Sequence, residues 1–339
     1  MSTPLAVVTG ATGFLATRLV PALADAGWRV RATARRPRPD WIPPAVEYVP
    51  VDLAGEEAGP MAYLCQGATH VFHLAGASSS KSSQDEMDRN NVTATANLLR
   101  ALAAAPIERF LYMSSTSVYG EEVPLPSPVV EDVEPNPSRG YGRAKWAAEE
   151  VVWRHREDGV PVVVLRPVTI YGPGATKLLA SAILDTAIER TAGLPRLALP
   201  AEPLEQRLVH VDDVVAACVH VATSESAVGR AFNVVDGIYP SSHEVGRTLA
   251  RCFGMEVEIG GPGLDEQRRR RVRDQMVARG MEPTILFTPD RLRLMAKTNR
   301  NNRLSTDALV STGFQFTQTD FPAAVEANVE WYLANRWLV

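Results

Sequence analysis

Cysteine is scarce: Cys65, Cys218 and Cys252 are the three thiols in 339 residues. Three widely spaced cysteines make neither a disulfide framework nor a zinc knuckle, and the expected compartment is the reducing cytoplasm. Long apolar runs are missing as well. No stretch nears the ~18 residues of a membrane-spanning helix, and Met1–Pro4 offers no basic n-region ahead of an apolar segment cut short by a glycine turn. Neither a membrane partner nor a signal peptide is expected. An excess of charge is also lacking, since 35 basic against 39 acidic residues leave −4, which gives no electrostatic footprint for nucleic acid or an anionic membrane. Six histidines, with His70 and His73 on or beside one strand, lack an accompanying ligand set, so no metal is expected. What remains, at 45% hydrophobic and 22% charged, is an ordinary soluble chain acting on a small-molecule substrate.

The length suits two domains or one large α/β unit. Short β-branched runs at Leu5–Thr9, Arg29–Ala34, Val46–Pro50, Thr69–Leu74, Phe110–Ser114 and Val162–Arg166 alternate with helical patterns at 13–26, 56–66, 85–105 and 141–157. That rhythm predicts an α/β fold with a doubly wound parallel sheet, covered on both faces. Beyond Arg166, helical patterns at 175–190, 241–253, 264–280 and 319–336 have few strands between them, while Val209–Thr223 and Ala231–Val235 read as returning to the sheet. The expected domains are 1–166 for a dinucleotide, with 207–236 returning to it, and a smaller, mainly helical C-terminal substrate lobe from 167–206 and 237–339. Four consecutive arginines within Gln267–Asp274 read as a solvated helix face, with a basic lid over a phosphate as the alternative.

Between the first strand and first helix lies Thr9-Gly10-Ala11-Thr12-Gly13-Phe14-Leu15-Ala16. Small residues in a strand-to-helix turn let a pyrophosphate approach unpaired amides at a helix N-terminus, and Ala16 falls where helix and strand pack closely. Gly10, Thr12, Gly13, Phe14 and Leu15 are the candidate phosphate-binding residues of a Rossmann-type dinucleotide site. At the end of the second strand, an acid normally takes the ribose 2′-hydroxyl. This chain has Ala34, Arg35 and Arg36 instead. Adjacent arginines pair a 2′-phosphate by charge-assisted bonds, so NADP(H) is favoured and NAD(H) stays open. Asp52 and Leu53, after the third strand, are placed to bond and pack on an adenine.

Tyr141 and Lys145 stand four residues apart at the start of a helical pattern and so share a face, where an ammonium stabilises a phenolate. A free tyrosine must shift by about three units to exchange a proton near neutrality. Ser114-Ser115-Thr116-Ser117-Val118-Tyr119-Gly120 directly follows another strand, His73-Leu74-Ala75-Gly76 closes the fourth, and Asn91 lies on the helix after it. Together with Arg166-Pro167-Val168-Thr169-Ile170-Tyr171-Gly172 and Val209-His210-Val211-Asp212-Asp213, these motifs resemble the extended short-chain dehydrogenase/reductase family, the NAD-dependent epimerase/dehydratase group. The resemblance implies that Tyr141 is the general acid/base and that Lys145 holds the nicotinamide ribose and lowers the tyrosine pKa. Ser115 then bonds the reacting oxygen, and Asn91 supports the proton relay. It also implies that Leu74, Ala75, Gly76 and Pro167 join Tyr141 and Lys145 around the cofactor, with Tyr119 lining the nicotinamide pocket. Substrate contacts fall to Ser78, Ser115, Thr116, Thr169, Gln206 and Arg207.

Departures from the family pattern narrow the reaction. Dehydratases of the group carry Asp-Glu after the catalytic hydroxyl, where this chain has Thr116 and Ser117, so elimination is not expected. Epimerases place Asn and Arg on the nucleotide diphosphate where Thr169 and Gln206 stand here, with Arg207 adjacent as a substitute. Val30–Pro37 is similar to NADPH-dependent reductases such as dihydroflavonol reductase, and Leu286–Arg303 to sterol-dehydrogenase-like relatives. Ketone reduction, or oxidation of the secondary alcohol, is the expected reaction. Nucleotide-sugar epimerisation is the first alternative and a non-catalytic NADP(H)-sensing regulator the second, although a sensor has no chemical need for Ser115, Tyr141 and Lys145. Glu121 and Glu122 read as solvated loop acids. A homodimer is expected, because the family pairs the helices at 85–105 and 141–157 and these carry Ala94, Ala96, Leu98, Leu99, Ala147, Ala148, Val151 and Val152.

Overall fold

The computed structural model describes residues 3–55, 58–77, 82–103, 105–120, 125–138, 140–292 and 302–339. The chain divides into two compact units. The first takes Met1–Val168, Asp212–Val234 and Leu304–Gln315, and the second takes Thr169–Val211, Val235–Arg303 and Phe316–Val339. The return at Leu304–Gln315 has no counterpart in the sequence-based boundaries; there Ser305 N–H donates to the Val129 carbonyl at 2.9 Å.

In the first unit the apolar runs become strands β1 (Leu5–Thr9), β2 (Arg29–Thr33), β3 (Glu47–Tyr48), β4 (His70–His73), β5 (Arg109–Met113) and β6 (Val162–Pro167). With Ala231–Val234 they form one seven-stranded sheet in the order Ala231–Val234, β6, β5, β4, β1, β2, β3. Every pairing is parallel. β1 sits between β2 and β4, so the winding direction reverses there, and a crevice opens beyond the carboxyl ends of those strands. β1 and β5 are buried along their whole length, as strands covered by helices on both faces must be.

The helices of this unit include α1 (Ala16–Asp25), α2 (Ala58–Cys65), α3 (Gln84–Asp88), α4 (Ala94–Leu102) and α5 (Gly140–Glu157). A capping box between Ser83 and Glu86 starts α3. The pattern expected as one helix over 85–105 is interrupted between α3 and α4 by a π turn at Arg89–Thr93. One extra residue per turn breaks the 3.6-residue phase, which periodicity alone does not register. α4 and α5 pack on the sheet through Leu98, Leu99, Ala148 and Val152, the leucines and the valine each worth up to ~3 kcal/mol of apolar burial. This corrects the premise for a dimer face: Ala94, Leu98, Leu99, Ala148, Val151 and Val152 are already covered within the unit, and only Ala96 and Ala147 keep partial exposure.

A second correction concerns Val209–Thr223. Instead of returning to the sheet it gives a short strand, Leu208–His210, followed by a helix, Val211–Thr223. Ala231–Val234 does return, against β6.

The second unit has helices Leu179–Thr191, Ser242–Cys252, Glu266–Ala278 and Phe321–Ala334, with two parallel strand pairs, Thr169–Tyr171 on Leu208–His210 and Arg196–Leu199 on Glu256–Ile259. The arginine run is solvated at Arg268, Arg270 and Arg271 but not at Arg269. Arg269 is 2% exposed and bridges Asp185 at 2.5 Å and Glu189, while Arg270 pairs with Glu266 on the surface. Only part of Leu286–Arg303 falls within the described residues. Among the described residues, no helix is long and apolar enough to cross a membrane.

Candidate active site

The crevice is a cleft of about 210 Å³ within the first unit. Gly10, Thr12 and Gly13 of the glycine turn line it, with Arg35, Arg36, Asp52, Leu53, Leu74, Ala75 and Gly76, all expected around a dinucleotide. Gly10 adopts φ +69°, and a Cβ there would lie 2.8 Å from the Ala75 nitrogen. Only glycine lets the turn after β1 close against the end of β4. Phe14 and Leu15 are outside the cleft lining: Leu15 is buried at the start of α1, and the Phe14 carbonyl accepts from the Thr17 hydroxyl at 2.7 Å.

At the end of β2, Arg35 is exposed and its guanidinium donates to Asn90 Oδ1 at 3.1 Å. Asn90 also lines the cleft and is anchored by its amide to the Glu86 carbonyl at 2.7 Å. Thr33, Ala77 and Asn90 were not singled out in the sequence, and Ala94 only for a dimer face. Asn90 lies in the π turn and Ala94 directly follows it, so their inward placement depends on the extra residue that periodicity misses. Asp52 has engaged oxygens: one accepts from Ala54 N–H at 3.1 Å and the other pairs with Arg89 at 3.0 Å.

A second cluster stands at the carboxyl ends of β5 and β6. Ser115 leaves β5 in extended conformation, and its Oγ accepts from the Ser117 amide at 3.2 Å. Tyr141 begins α5, with the Ser115 side chain near its hydroxyl. Burial pushes the Tyr141 hydroxyl up to about 12, against the lowering influence of Ser115. Lys145, one turn on, donates to the Met113 carbonyl at 2.7 Å and lies 6.0 Å over the Tyr141 ring. Burial brings its ammonium down to about 8, with the Glu149 carboxylate acting in the opposite sense. Lys145 is not among the groups that lower the Tyr141 pKa here: burial dominates and Ser115 opposes it.

Gly76 joins the two clusters. A Cβ on it would come within 2.5 Å of Asn91 Oδ1 and 3.2 Å of Lys145 Nζ. Asn91 is fully buried in the π turn, and its Nδ2 donates to the carbonyls of Met87 and Ala77, but its Oδ1 has no protein donor. An orphaned acceptor and an ammonium converging on a space that a side chain would fill is the arrangement that ribose hydroxyls satisfy.

Other expected residues have different work. Tyr119 is 2% exposed and its hydroxyl donates to Asn233 at 2.7 Å and accepts from Arg166 at 2.9 Å, so it belongs to the sheet interior and not to a nicotinamide wall. Arg166 forms a buried ion pair with Glu149, which also accepts from Ser114 at 2.6 Å. Pro167 is buried and its carbonyl accepts from Thr116 at 3.4 Å. Thr169, Gln206 and Arg207 belong to the second unit. There Gln206 is buried and donates to the Leu204 carbonyl at 3.0 Å, and Arg207 is half-buried with its pKa drawn down by desolvation. Ser78, Glu121 and Glu122 lie outside the described residues. Among the described residues no group of three His, Cys, Asp or Glu side chains could hold a metal ion.

Sheet order, glycine turn and cleft define a dinucleotide-binding α/β protein of the doubly wound class. Residues 6–235 match the model of the NAD dependent epimerase/dehydratase family, and the chain belongs to that family. It is 31% identical over 216 residues to a ceramide reductase of Caulobacter vibrioides, covering 62% of this chain and 59% of the relative. It is also 31% identical over 179 residues to the 4-hydroxy-2-methyl-3-oxo-4-farnesyl-3,4-dihydroquinoline-1-oxide ketoreductase of Stigmatella aurantiaca, covering 52% and 53%. The chain thus spans little more than half the length of these curated relatives. Across nearly its whole length it superposes on the solved structure of MoeE5 in complex with UDP-glucuronic acid and NAD, at 25% identity and TM-score 0.72, covering 97% of this chain and 99% of that one.

Proposed function

We propose that the chain is an NADP(H)-dependent ketoreductase that reduces a ketone of a small-molecule metabolite, with Tyr141 as the proton donor. The observation that carries this reading is the convergence of Lys145 and the orphaned Asn91 Oδ1 on Gly76 at the cleft, with Tyr141 and Ser115 beside Lys145. Bound in that cleft, a nicotinamide dinucleotide would supply the hydride. Gly10, Thr12 and Gly13 would hold its pyrophosphate at the N-terminal end of α1, and Lys145 with Asn91 Oδ1 would take the ribose hydroxyls.

Ser115 and Tyr141 present two hydroxyls to one carbonyl oxygen, which they polarise and orient. With its pKa held at about 12, the Tyr141 phenol is fully protonated at neutral pH. That is the form that gives a proton to an oxygen gaining negative charge. The phenolate left behind is met by the Lys145 ammonium across the same helix face. Arg35, held at the rim by Asn90, and the neighbouring Arg36 supply the charge for a 2′-phosphate. Relatives named as reductases agree with this direction, while Thr116 and Ser117 give no acid pair for dehydration.

Epimerisation of a nucleotide sugar is the second reading. It rests on the likeness to MoeE5, solved with UDP-glucuronic acid, and on Arg207 as a cation for a diphosphate. A cofactor-oxidation assay over hydrophobic ketones, keto-sugars and nucleotide sugars separates the two. Tyr141→Phe on the responding substrate should lower turnover by roughly 10²–10⁴ while leaving cofactor affinity intact. Wild-type turnover in that variant would remove Tyr141 from the chemistry. No turnover by wild type across the panel, with tight NADPH binding, would favour the sensing regulator.

A further inference from the structure

Among the fully buried titratable side chains that the mechanism above leaves unused is His73. His73 closes β4 with 0% exposure and hydrogen bonds on both ring nitrogens, Nδ1 to Thr9 Oγ1 at 2.8 Å and Nε2 to Thr95 Oγ1 at 2.9 Å. The outer ends of these bonds fix their direction. The Thr95 hydroxyl donates its single proton to the Asn91 carbonyl at 2.6 Å, so it must accept from His73 Nε2–H. At the other end Thr9 Oγ1 accepts from the Ala75 amide at 3.1 Å. A neutral ring protonated on Nε2 has Nδ1 free to accept, which uses the Thr9 hydroxyl proton. Burial and the nearby Lys145 charge both hold the ring neutral. Every donor and acceptor then has one partner, and the chain runs one way from Ala75 N–H through Thr9, His73 and Thr95 to the Asn91 carbonyl.

The two ends matter because of what they adjoin. Ala75 lines the dinucleotide cleft, and Asn91 occupies the π turn with its orphaned Oδ1 beside Gly76 and Lys145. We propose that His73 is a positioning residue that, as a neutral Nε2–H imidazole, locks the cleft wall to the π turn and so holds the Asn91 amide oxygen toward Lys145. The lock spans Thr9 at the end of β1, His73 at the end of β4 and Thr95 on α4, three elements that must keep register for the cofactor cleft and the proton-donating cluster to meet. The proposal rests on the Ser115–Tyr141–Lys145 assignment for its functional consequence, but not for its hydrogen-bond geometry.

The test uses the full chain labelled with ¹⁵N-histidine, assigned with His73→Gln. The expected spectrum shows His73 as a neutral imidazole carrying its proton on Nε2 from pH 5 to 8, with or without NADPH. An Nδ1–H tautomer or an imidazolium in that range overturns the proposal without reference to activity. Thr95→Val removes the hydroxyl at nearly constant volume. It should weaken NADPH binding by calorimetry and lower kcat by roughly tenfold or more, since a displacement near 1 Å costs up to about 10²-fold. Thr95→Ser, which keeps the hydroxyl, should restore both. Wild-type affinity and turnover in Thr95→Val also overturns the proposal, as does loss of the same size in Thr95→Ser. Loss of activity in Tyr141→Phe alongside an unaffected Thr95→Val would leave the catalytic reading standing and sink this one alone.

Discussion

Replacing His73 by glutamine should flatten the acid side of the stability curve. The native imidazole is held neutral down to about 3, mainly by burial and secondarily by the Lys145 charge, while an exposed ring titrates near 6.5. Between those values the unfolded chain binds a proton that the folded chain refuses. The contribution is therefore fully present above pH 6.5 and is lost as pH falls toward 3. Each unit in that window is worth about 1.4 kcal/mol, so going from pH 7.5 to 4.5 crosses two effective units and costs the wild type about 3 kcal/mol through this residue. Glutamine keeps a donor and an acceptor near the same positions but has nothing to titrate. Urea unfolding of both proteins at pH 7.5 and 4.5 measures the difference directly, with other carboxylates and histidines common to both. The wild type should lose about 3 kcal/mol more than His73→Gln across that interval. Parallel losses would refute the reasoning, because they would mean that the imidazole either takes up its proton while folded or is reached by water.

Arg35→Ala should lower NADPH affinity about 10–100-fold while leaving NADH affinity nearly unchanged, as expected for loss of a charge-assisted bond to a phosphate; calorimetric titration with both cofactors measures this. Equal preference in the wild type would contradict the 2′-phosphate assignment. Gly10→Ala forces a side chain into φ +69° and 2.8 Å from the Ala75 nitrogen, so it should lower the urea midpoint by an amount equivalent to about 1–3 kcal/mol and abolish cofactor binding.

Much of the first unit could be read locally. A run such as Val-Val-Val-Leu has few ways to be buried, and a parallel strand covered on both faces is one; a glycine-spaced turn between strand and helix carries its own backbone reason. Tyr141 and Lys145 share a helix face at any position in any fold, so their pairing needed no knowledge of the sheet. Four features depended on distant neighbours. The π turn at Arg89–Thr93 arises inside a pattern that reads as one helix, and it carries Asn90, which lines the cleft, and Asn91, whose Oδ1 faces Gly76. Val211–Thr223 has the β-branched residues of a strand, yet becomes a helix because tertiary burial overrides weak local preference. Arg269 sits in a run that looks solvated, and partners about 80 residues away draw it inside. The protonation of the site was the least legible. Sequence spacing places a cation beside a phenol, but burial of both raises Tyr141 and lowers Lys145. The sequence by itself determined the glycine turn after β1 and the shared helix face of Tyr141 and Lys145, since those follow from short-range geometry. Only the tertiary structure decided their charge and orientation, because desolvation and the direction of a hydrogen-bond chain are set by residues far apart in the chain.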